Sequence, residues 1–420
     1  MRTPNYHKTL KTSYQALALS GLLLSGISGF AQSETANNKS RSETNRANPG
    51  DSSSFAMKHV NRTIQTIEKG LGKTHIGLTY PLSSNGKHAP LDTNNFSFHL
   101  LAGTSSVENG FSFAGFSNII RNEATGTQIA LFSNHIGKKA TGVQFAGFLN
   151  TYGKGDGAAF AGFANVSKGN INGVQFAGFL NIAKDVKGAQ FAGFLNKANS
   201  VQGSQLAGFL NIAGKNVSAS QLAGFINKAE DVKGSQFAGF INIAKKVKGV
   251  QAAGFINIAD SSDYPIGIIN LVKKGEKSIS LTLDETQTSM LSFRSGGKVT
   301  YGMIGIGYNL KNKKEVYAME VGLGAHWFQS SSFRLNTELT GSVLESFKTG
   351  EYFKSSLRIL PALRIGNHLE LFAGPSLNFL STNTTEGRNL HKQYIHTWSD
   401  RGHDFQALYL GYSGGIQVIF

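Results

Sequence analysis

Between Phe113 and Asn270 the chain repeats one apolar phrase. Val143-Gln144-Phe145-Ala146-Gly147-Phe148-Leu149-Asn150 is followed by a few polar residues, and then the phrase returns. Ala-Gly-Phe occurs nine times, with its glycine at Gly115, Gly147, Gly162, Gly178, Gly193, Gly208, Gly224, Gly239 and Gly254, and Ala130-Leu131-Phe132 fills the single gap. The asparagines that close the phrase are Asn118, Asn134, Asn150, Asn165, Asn181, Asn196, Asn211, Asn227, Asn242, Asn257 and Asn270, in steps of 16, 16, 15, 16, 15, 15, 16, 15, 15 and 13 residues. A fixed period of this size implies one small unit stacked on itself, because no unit so short buries a core alone.

The unit reads as β. Each apolar run is rich in Phe, Ile, Leu and Val, is broken by glycine, and ends in a turn-like Lys/Asp/Gly cluster. A helical reading places a glycine inside every helix, at about 1 kcal/mol each. Two β architectures fit. In a β-solenoid of about eleven repeats of 15–16 residues, all coils run the same way and Asn stacks on Asn, Phe on Phe. In the competing arrangement each repeat is one strand of a wide, up-and-down membrane barrel. Uniform turns favour the solenoid, since outer-membrane barrels alternate short turns with longer loops.

From Lys273 onward the pattern changes to long strands with two-residue alternation. Tyr317, Met319, Val321, Leu323, Ala325 and Trp327 share one face, opposite Ala318, Glu320, Gly322, Gly324 and His326. Leu357, Ile359, Pro361, Leu363 and Ile365 lie opposite Ser356, Arg358, Ala362 and Arg364. Similar strands are predicted at 299–310, 333–345, 368–380 and 405–420. Their length and alternation match transmembrane β-strands. The last alternates Leu408, Leu410, Tyr412, Gly414, Ile416, Val418 and Phe420. It resembles the C-terminal insertion signal of bacterial outer-membrane barrels, which end on an aromatic residue. The fold class expected is therefore all-β: a solenoid joined to an antiparallel barrel.

The N-terminal part divides into shorter pieces. Lys8 and Lys11 precede an apolar stretch from Ala16 to Ile27, and Gly29-Phe30-Ala31 offers small residues for cleavage, so residues 1–31 read as a signal peptide. Residues 32–72 read as a polar linker with one short amphipathic helix carrying Val60, Ile64, Ile67 and Leu71. Residues 73–110 hold N-terminal strands near His75–Tyr80 and Asn95–Leu101, for which the barrel is the candidate body. Residues 111–272 form the repeat domain and 273–420 the barrel-like domain.

Composition narrows the function classes. The 420 residues contain no cysteine, which excludes disulfides, thiolate metal sites, cysteine nucleophiles and a lipidated N-terminal cysteine. The net charge is +16. In the repeats the lysines cluster in the turns, which predicts a basic edge able to attract lipopolysaccharide or another anionic polysaccharide. Nucleic-acid binding is not expected, because the aromatics recur as core or ladder residues and not as platforms among arginines.

The phrase and its period resemble the bacterial surface-repeat proteins of the Leptospira and Bacteroidetes type, known by runs of Gly-Val-Gln-Phe-Ala-Gly-Phe-Leu-Asn. The resemblance covers roughly Asn95 to Asn270. It implies a surface location and a repeat architecture and brings no catalytic residue with it.

No constellation of residues points to catalysis, a cofactor or a metal. His391, His396 and His403, with Asp400 and Asp404, read as a solvated loop, since they lack the tight spacing of ligands on a regular element. Gly302, Gly305 and Gly307 fall within a strand and open no helix, so they cradle no nucleotide. Glu320, Glu338, Arg358 and Arg364 lie on polar strand faces and are expected to pair inside a narrow barrel. The function expected is a non-enzymatic outer-membrane or cell-surface protein with a structural, display or adhesion role. Two alternatives are porin-like transport, if the repeats are membrane strands, and an exported carbohydrate-active protein.

Overall fold

The computed structural model of the chain describes residues 73–313, 316–347, 351–399 and 405–420. The expected signal peptide, linker and short helix lie outside the described residues, as do Asp400, His403 and Asp404.

The chain from Thr74 to Val272 is a β-solenoid. Every copy runs in the same direction as its neighbours. Asn196 sits beside Asn181 on one side and Asn211 on the other, and Leu195 sits between Leu180 and Leu210. Consecutive antiparallel membrane strands are thus not what the repeats adopt. The strands Thr74–Thr79 and Thr93–Ala114 are not part of the barrel, as the sequence suggested, but extend the same parallel stack, the first pairing with the second and the second with Ser117–Ala130.

A typical coil has two strand segments, such as Asp185–Ala192 and Leu195–Ala198, joined at the Gly193-Phe194 bend. A second kink falls inside the longer segment. Gly173, Gly188 and Gly203 take φ of 139°, 134° and 151°, and a methyl group on any of them would run into the carbonyl oxygen of the equivalent glycine one coil earlier. This requirement explains the glycine that recurs two residues before Gln175, Gln190 and Gln205.

The interior is narrow and half polar. One strip is aliphatic, with Val186, Val201, Val217, Val232 and Val247 beside Ala183, Ala198, Ala213, Ala229 and Ala244. The rest is two hydrogen-bonded ladders. Each asparagine from Asn118 to Asn257 donates its Nδ2 to the Oδ1 of the next asparagine, at 2.8–3.1 Å. The glutamines run the other way: Gln190, Gln205, Gln221 and Gln236 each donate Nε2 to the preceding glutamine at 2.8 Å. Where the glutamine is replaced by Ala159, Tyr152 fills the space, and its hydroxyl accepts from Gln175 Nε2 at 2.8 Å.

Residues 277–419 close into an eight-stranded antiparallel barrel. Its strands are β1 (Lys277–Asp284), β2 (Thr288–Gly296), β3 (Thr300–Asn309), β4 (Tyr317–Trp327), β5 (Phe333–Glu345), β6 (Tyr352–Ile365), β7 (Leu369–Thr382) and β8 (Phe405–Ile419). Each pairs with the next, and β8 returns to β1 through Leu281 beside Ile416. A short strand, His396–Ser399, adds to the edge of β8, and a five-residue helix, Thr385–Asn389, precedes it. The barrel is inside-out by the standard of a water-soluble protein. Its outer wall carries exposed Leu281, Leu291, Ile306, Val321, Leu357, Leu363 and Leu410. Its lumen buries Arg294, Glu320, Arg334, Glu338, Lys354, Arg358 and Glu370. These are the two faces the alternation predicts.

The last coil of the solenoid rests against the β2–β3 hairpin. Asn270 donates its backbone N–H to Ser295 Oγ at 3.0 Å and its Nδ2 to Ser295 O at 3.2 Å, and Thr300 Oγ1 donates to Pro265 O at 2.8 Å. The asparagine ladder therefore ends on the barrel. At the other end, Leu82–Ser83 folds back antiparallel on Thr74–Thr79, and a 3-10 turn, Gly86–Leu91, follows. Both open edges are thereby covered.

Candidate functional site

The ladders fix which side chains point out. Alternation around the Ala-Gly-Phe bend turns Gln and Asn inward and places both flanking phenylalanines, and the following Leu or Ile, on the outside. Two aromatic rows result. In one, Phe145, Phe160, Phe176 and Phe191 stack at centroid distances of 4.5–5.1 Å. In the other, ten rings from Phe116 to Phe255 stack nearly parallel with successive spacings of 4.8–5.3 Å. That makes a continuous run of about 44 Å.

Stacking does not bury these rings. From Phe116 to Phe240 the members of the long row stay 36–52% exposed. Along the first row runs an open apolar groove of about 740 Å³, floored by alanines and glycines such as Ala161 and Gly162 and walled by Phe145, Phe160 and Phe176. Leu131, which stands where neighbouring coils have glycine, is 65% exposed at its edge. Nothing in the structure explains why this coil lacks the glycine. Eleven successive bends, from Phe113 to Asn270, carry no charged residue between the first aromatic row and the asparagine.

The charges lie on the other sides of the coil. Lys184, Asp185, Lys215, Glu230, Lys245 and Asp260 occupy the turn after the alanine strip. The basic edge expected there is partly neutralised from coil to coil, by Lys245 with Glu230 at 2.7 Å and Lys273 with Asp260 at 3.1 Å. The solenoid is thus amphipathic about its own axis, with one apolar corner and polar remaining sides.

A second cluster sits in the first coils. His75 Nε2 lies 3.4 Å from His99 Nε2, and Asn94 Nδ2 lies 3.4 Å from His75 Nδ1. Asn94 and Ser97 both donate to the buried Glu108 carboxylate, at 3.1 and 2.8 Å. Burial, reinforced by its histidine neighbour, lowers the His99 pKa to about 4, and burial also lowers that of His75. The Glu108 carboxyl is shifted upward by burial, against the pull of its hydrogen bonds. The imidazole of His99 fills the space beside Gly103, which stands in register with Asn118 at the head of the asparagine ladder. The cluster plugs the end of the polar interior.

The chain matches no known family model, no curated protein and no solved structure.

The residues singled out from sequence separate as follows. The eleven asparagines come together in one ladder. Arg358 pairs with Glu320 and, at 3.5 Å, with Glu338, which also binds Arg294 at 2.9 Å. Arg364 instead lies 4.0 Å from Glu276, which also holds Arg334 at 2.8 Å. His391 stacks on Tyr409 at 4.1 Å and His396 meets Trp398 edge-on at 4.7 Å. Among the described residues no three His, Asp or Glu side chains gather as a cation site. Gly302, Gly305 and Gly307 lie in β3.

Sequence reasoning missed the exposure of the aromatics, expecting core or ladder roles. The signal was present in the phrase itself. In Gln-Phe-Ala-Gly-Phe-Leu-Asn, strict alternation from an inward Gln puts the first Phe outside, and the bend at Gly restarts the count so that the second Phe is outside too.

Proposed function

We propose that this protein is a non-enzymatic outer-membrane protein, in which the eight-stranded barrel is a membrane anchor and the solenoid is a scaffold held at the periplasmic side. The observation that carries the reading is the reversal of the barrel: seven strongly polar or charged side chains buried in the lumen, and aliphatic residues along its exposed wall. Water as the outer solvent would make that arrangement costly on both faces, whereas a bilayer rewards it.

Loop lengths supply the orientation. At the end where β1 begins and β8 finishes, the links are residues 297–299, 328–332 and 366–368. At the opposite end they are 285–287, 310–316, 346–351 and 383–404. In bacterial barrels the short turns face the periplasm and the long loops face outward. The solenoid enters at the short-turn end and docks on the 297–299 hairpin. A structural role on the inner side of the outer membrane therefore fits better than surface display. The packed lumen argues for an anchor and against a pore.

Because the chain has no cysteine, one introduced thiol at a time reports its location. On intact cells a membrane-impermeant maleimide should label Lys392→Cys, in the longest loop, and should leave Lys187→Cys unlabelled until the outer membrane is opened. Equal labelling of both on intact cells would overturn the periplasmic placement. Recovery of the chain in the soluble fraction would overturn the anchor. Purified protein should produce no conductance steps in planar bilayers; regular steps would favour transport.

A further inference from the structure

We infer that the apolar corner of the solenoid is itself seated in the bilayer, in the leaflet adjoining the short-turn end of the barrel. The repeat domain would then be an amphipathic arm lying along the membrane surface. The inference rests on the membrane reading of the barrel and extends it to residues outside the barrel.

The first support is the size and purity of the corner. A run of about 44 Å of stacked, half-exposed rings, roughly 10 Å across, presents about 440 Å² of contiguous apolar surface, the size of the largest patch on a typical monomer, which often marks a contact site. It has no charged residue along it and no covering segment among the described residues.

The second support is the docking geometry, which fixes how the corner is turned. Tyr301 points into the lumen, its hydroxyl donating to Glu338 at 2.9 Å, so the adjacent Gly302 faces outward. Gly302 is paired across strands with Ser295, and the next outward pair is Phe293 with Ile304, which begins the aliphatic belt. The bend of the last coil, Gly267-Ile268, lies with its carbonyl oxygens against Gly302. The segment of that coil before the bend, at Ser262 and Pro265, in register with Val247 and Gln251, lies against Gly297 in the turn. Going from turn to belt along the barrel wall thus follows the coil toward its apolar corner. Register then carries that direction along the stack, because Ile269 stands over Ile256 and Ile256 over Ile241. The aromatic rows leave the barrel at the height where the aliphatic belt begins.

The two surfaces are therefore continuous, and one solvent satisfies both. An amphipathic element in this position sinks its apolar face about 5–10 Å into the boundary between headgroups and acyl chains, which matches the depth of a phenylalanine corner. The lysine-bearing turns, on the far side of the coil, stay in water.

The test uses the full chain in phosphatidylethanolamine–phosphatidylglycerol vesicles, with and without nitroxide-labelled acyl chains, and an environment-sensitive fluorophore on single cysteines. Corner probes are Leu131→Cys, which removes no ring from the stack, and Phe194→Cys. The water-facing probe is Lys184→Cys, and Leu357→Cys on the outer wall of β6 reports the barrel. Quenching by acyl nitroxide should be several-fold stronger at 131 and 194 than at 184, and comparable to that at 357. If 357 is quenched while 131 and 194 behave like 184, the solenoid corner faces water and the inference fails while the anchor stands. If 357 is also unquenched, the membrane reading itself fails. Emission at 131 and 194 that shifts with protein density and ignores the lipid nitroxide would assign the corner to a second copy and overturn the inference.

Discussion

Replacing Asn181 with alanine isolates what the inner ladder contributes. Asn181 donates Nδ2 to Phe191 O at 2.7 Å and to Asn196 Oδ1 at 2.9 Å, and its Oδ1 accepts from Asn165 Nδ2 at 3.0 Å. All three asparagines are fully buried. Alanine deletes these three hydrogen bonds, each of net value near 1 kcal/mol, together with a long, weak one to Gln175 O at 3.4 Å, and leaves Asn196 Oδ1 buried without its donor, at a further ~1–3 kcal/mol. The expected loss is about 4–6 kcal/mol. Because each coil contacts only its neighbours, the loss should be local. Hydrogen exchange of the full chain, read by mass spectrometry, should accelerate about a thousand- to ten-thousand-fold for amides between Asn165 and Asn211 and change little beyond them. Lys184→Ala, an exposed turn position in the next segment, should leave exchange unaltered. Acceleration below tenfold around Asn181, or a uniform change from end to end, would refute a ladder that stabilises coil by coil.

Tyr152→Phe should cost about 1–3 kcal/mol in the same assay, since it strips the acceptor from buried Gln175 Nε2; Tyr152→Ile together with Ala159→Gln, the pairing the preceding coil has in Ile136 and Gln144, should restore most of it by completing the glutamine ladder. Acidification should open the first coils. His99, with a folded pKa of about 4, and His75, also lowered, take up protons more readily when exposed, so protection of residues 93–108 should fall as pH drops from 6.5 toward 4. Glu108, raised by burial, has the opposite sign, so Glu108→Gln should steepen that fall; a flat profile in both proteins would refute the assignment. Arg358→Met leaves Glu320 and Glu338 short of their shared cation in the lumen and should destabilise the barrel by about 3–5 kcal/mol, seen as a lower temperature for loss of the compact band in gel electrophoresis.

The fold was legible wherever a short period is imposed by backbone geometry. Equal spacing of the asparagines fitted parallel coils or membrane strands alike, and the uniform turns favoured the parallel coils that the structure shows. Two-residue alternation located the β4 strand to its end residues, Tyr317 and Trp327, and β5 to Phe333 and Glu345. The segments Lys277–Asp284 and Thr288–Gly296 were less distinct, because serine and threonine on their lumen side blur the contrast with turns. The first coils were ambiguous for a different reason. Their interior is built from His75, Asn94, His99 and Glu108, a cluster assembled from positions far apart in the chain, and no period announces it. Exposure was the least legible property. The same Phe-on-Phe stacking that makes a regular repeat is compatible with a buried or an open row, and only the placement of the Gln and Asn ladders decides which.

That placement links the two halves of the molecule. A solenoid in water ordinarily gains most from turning its large apolar side chains inward. Here the inward positions are given to Gln, Asn, Ala and Val, and the phenylalanines are turned out along one corner. The ladders make this inversion self-consistent: a buried amide is costly unless every donor and acceptor is matched, and stacking in register matches them from coil to coil. Inward polarity alone, however, would leave the outer aromatics without a favourable environment. In the proposed membrane reading, lipid outside and paired Arg, Lys and Glu inside would together satisfy the inversion of the barrel. The solenoid corner adjoins that wall at Gly302, below Phe293 and Ile304, and presents aromatic carbon in the direction where the wall presents aliphatic carbon. A single apolar phase bordering both surfaces accounts for phenylalanine on the outside of the coils and leucine on the outside of the strands with one cause instead of two.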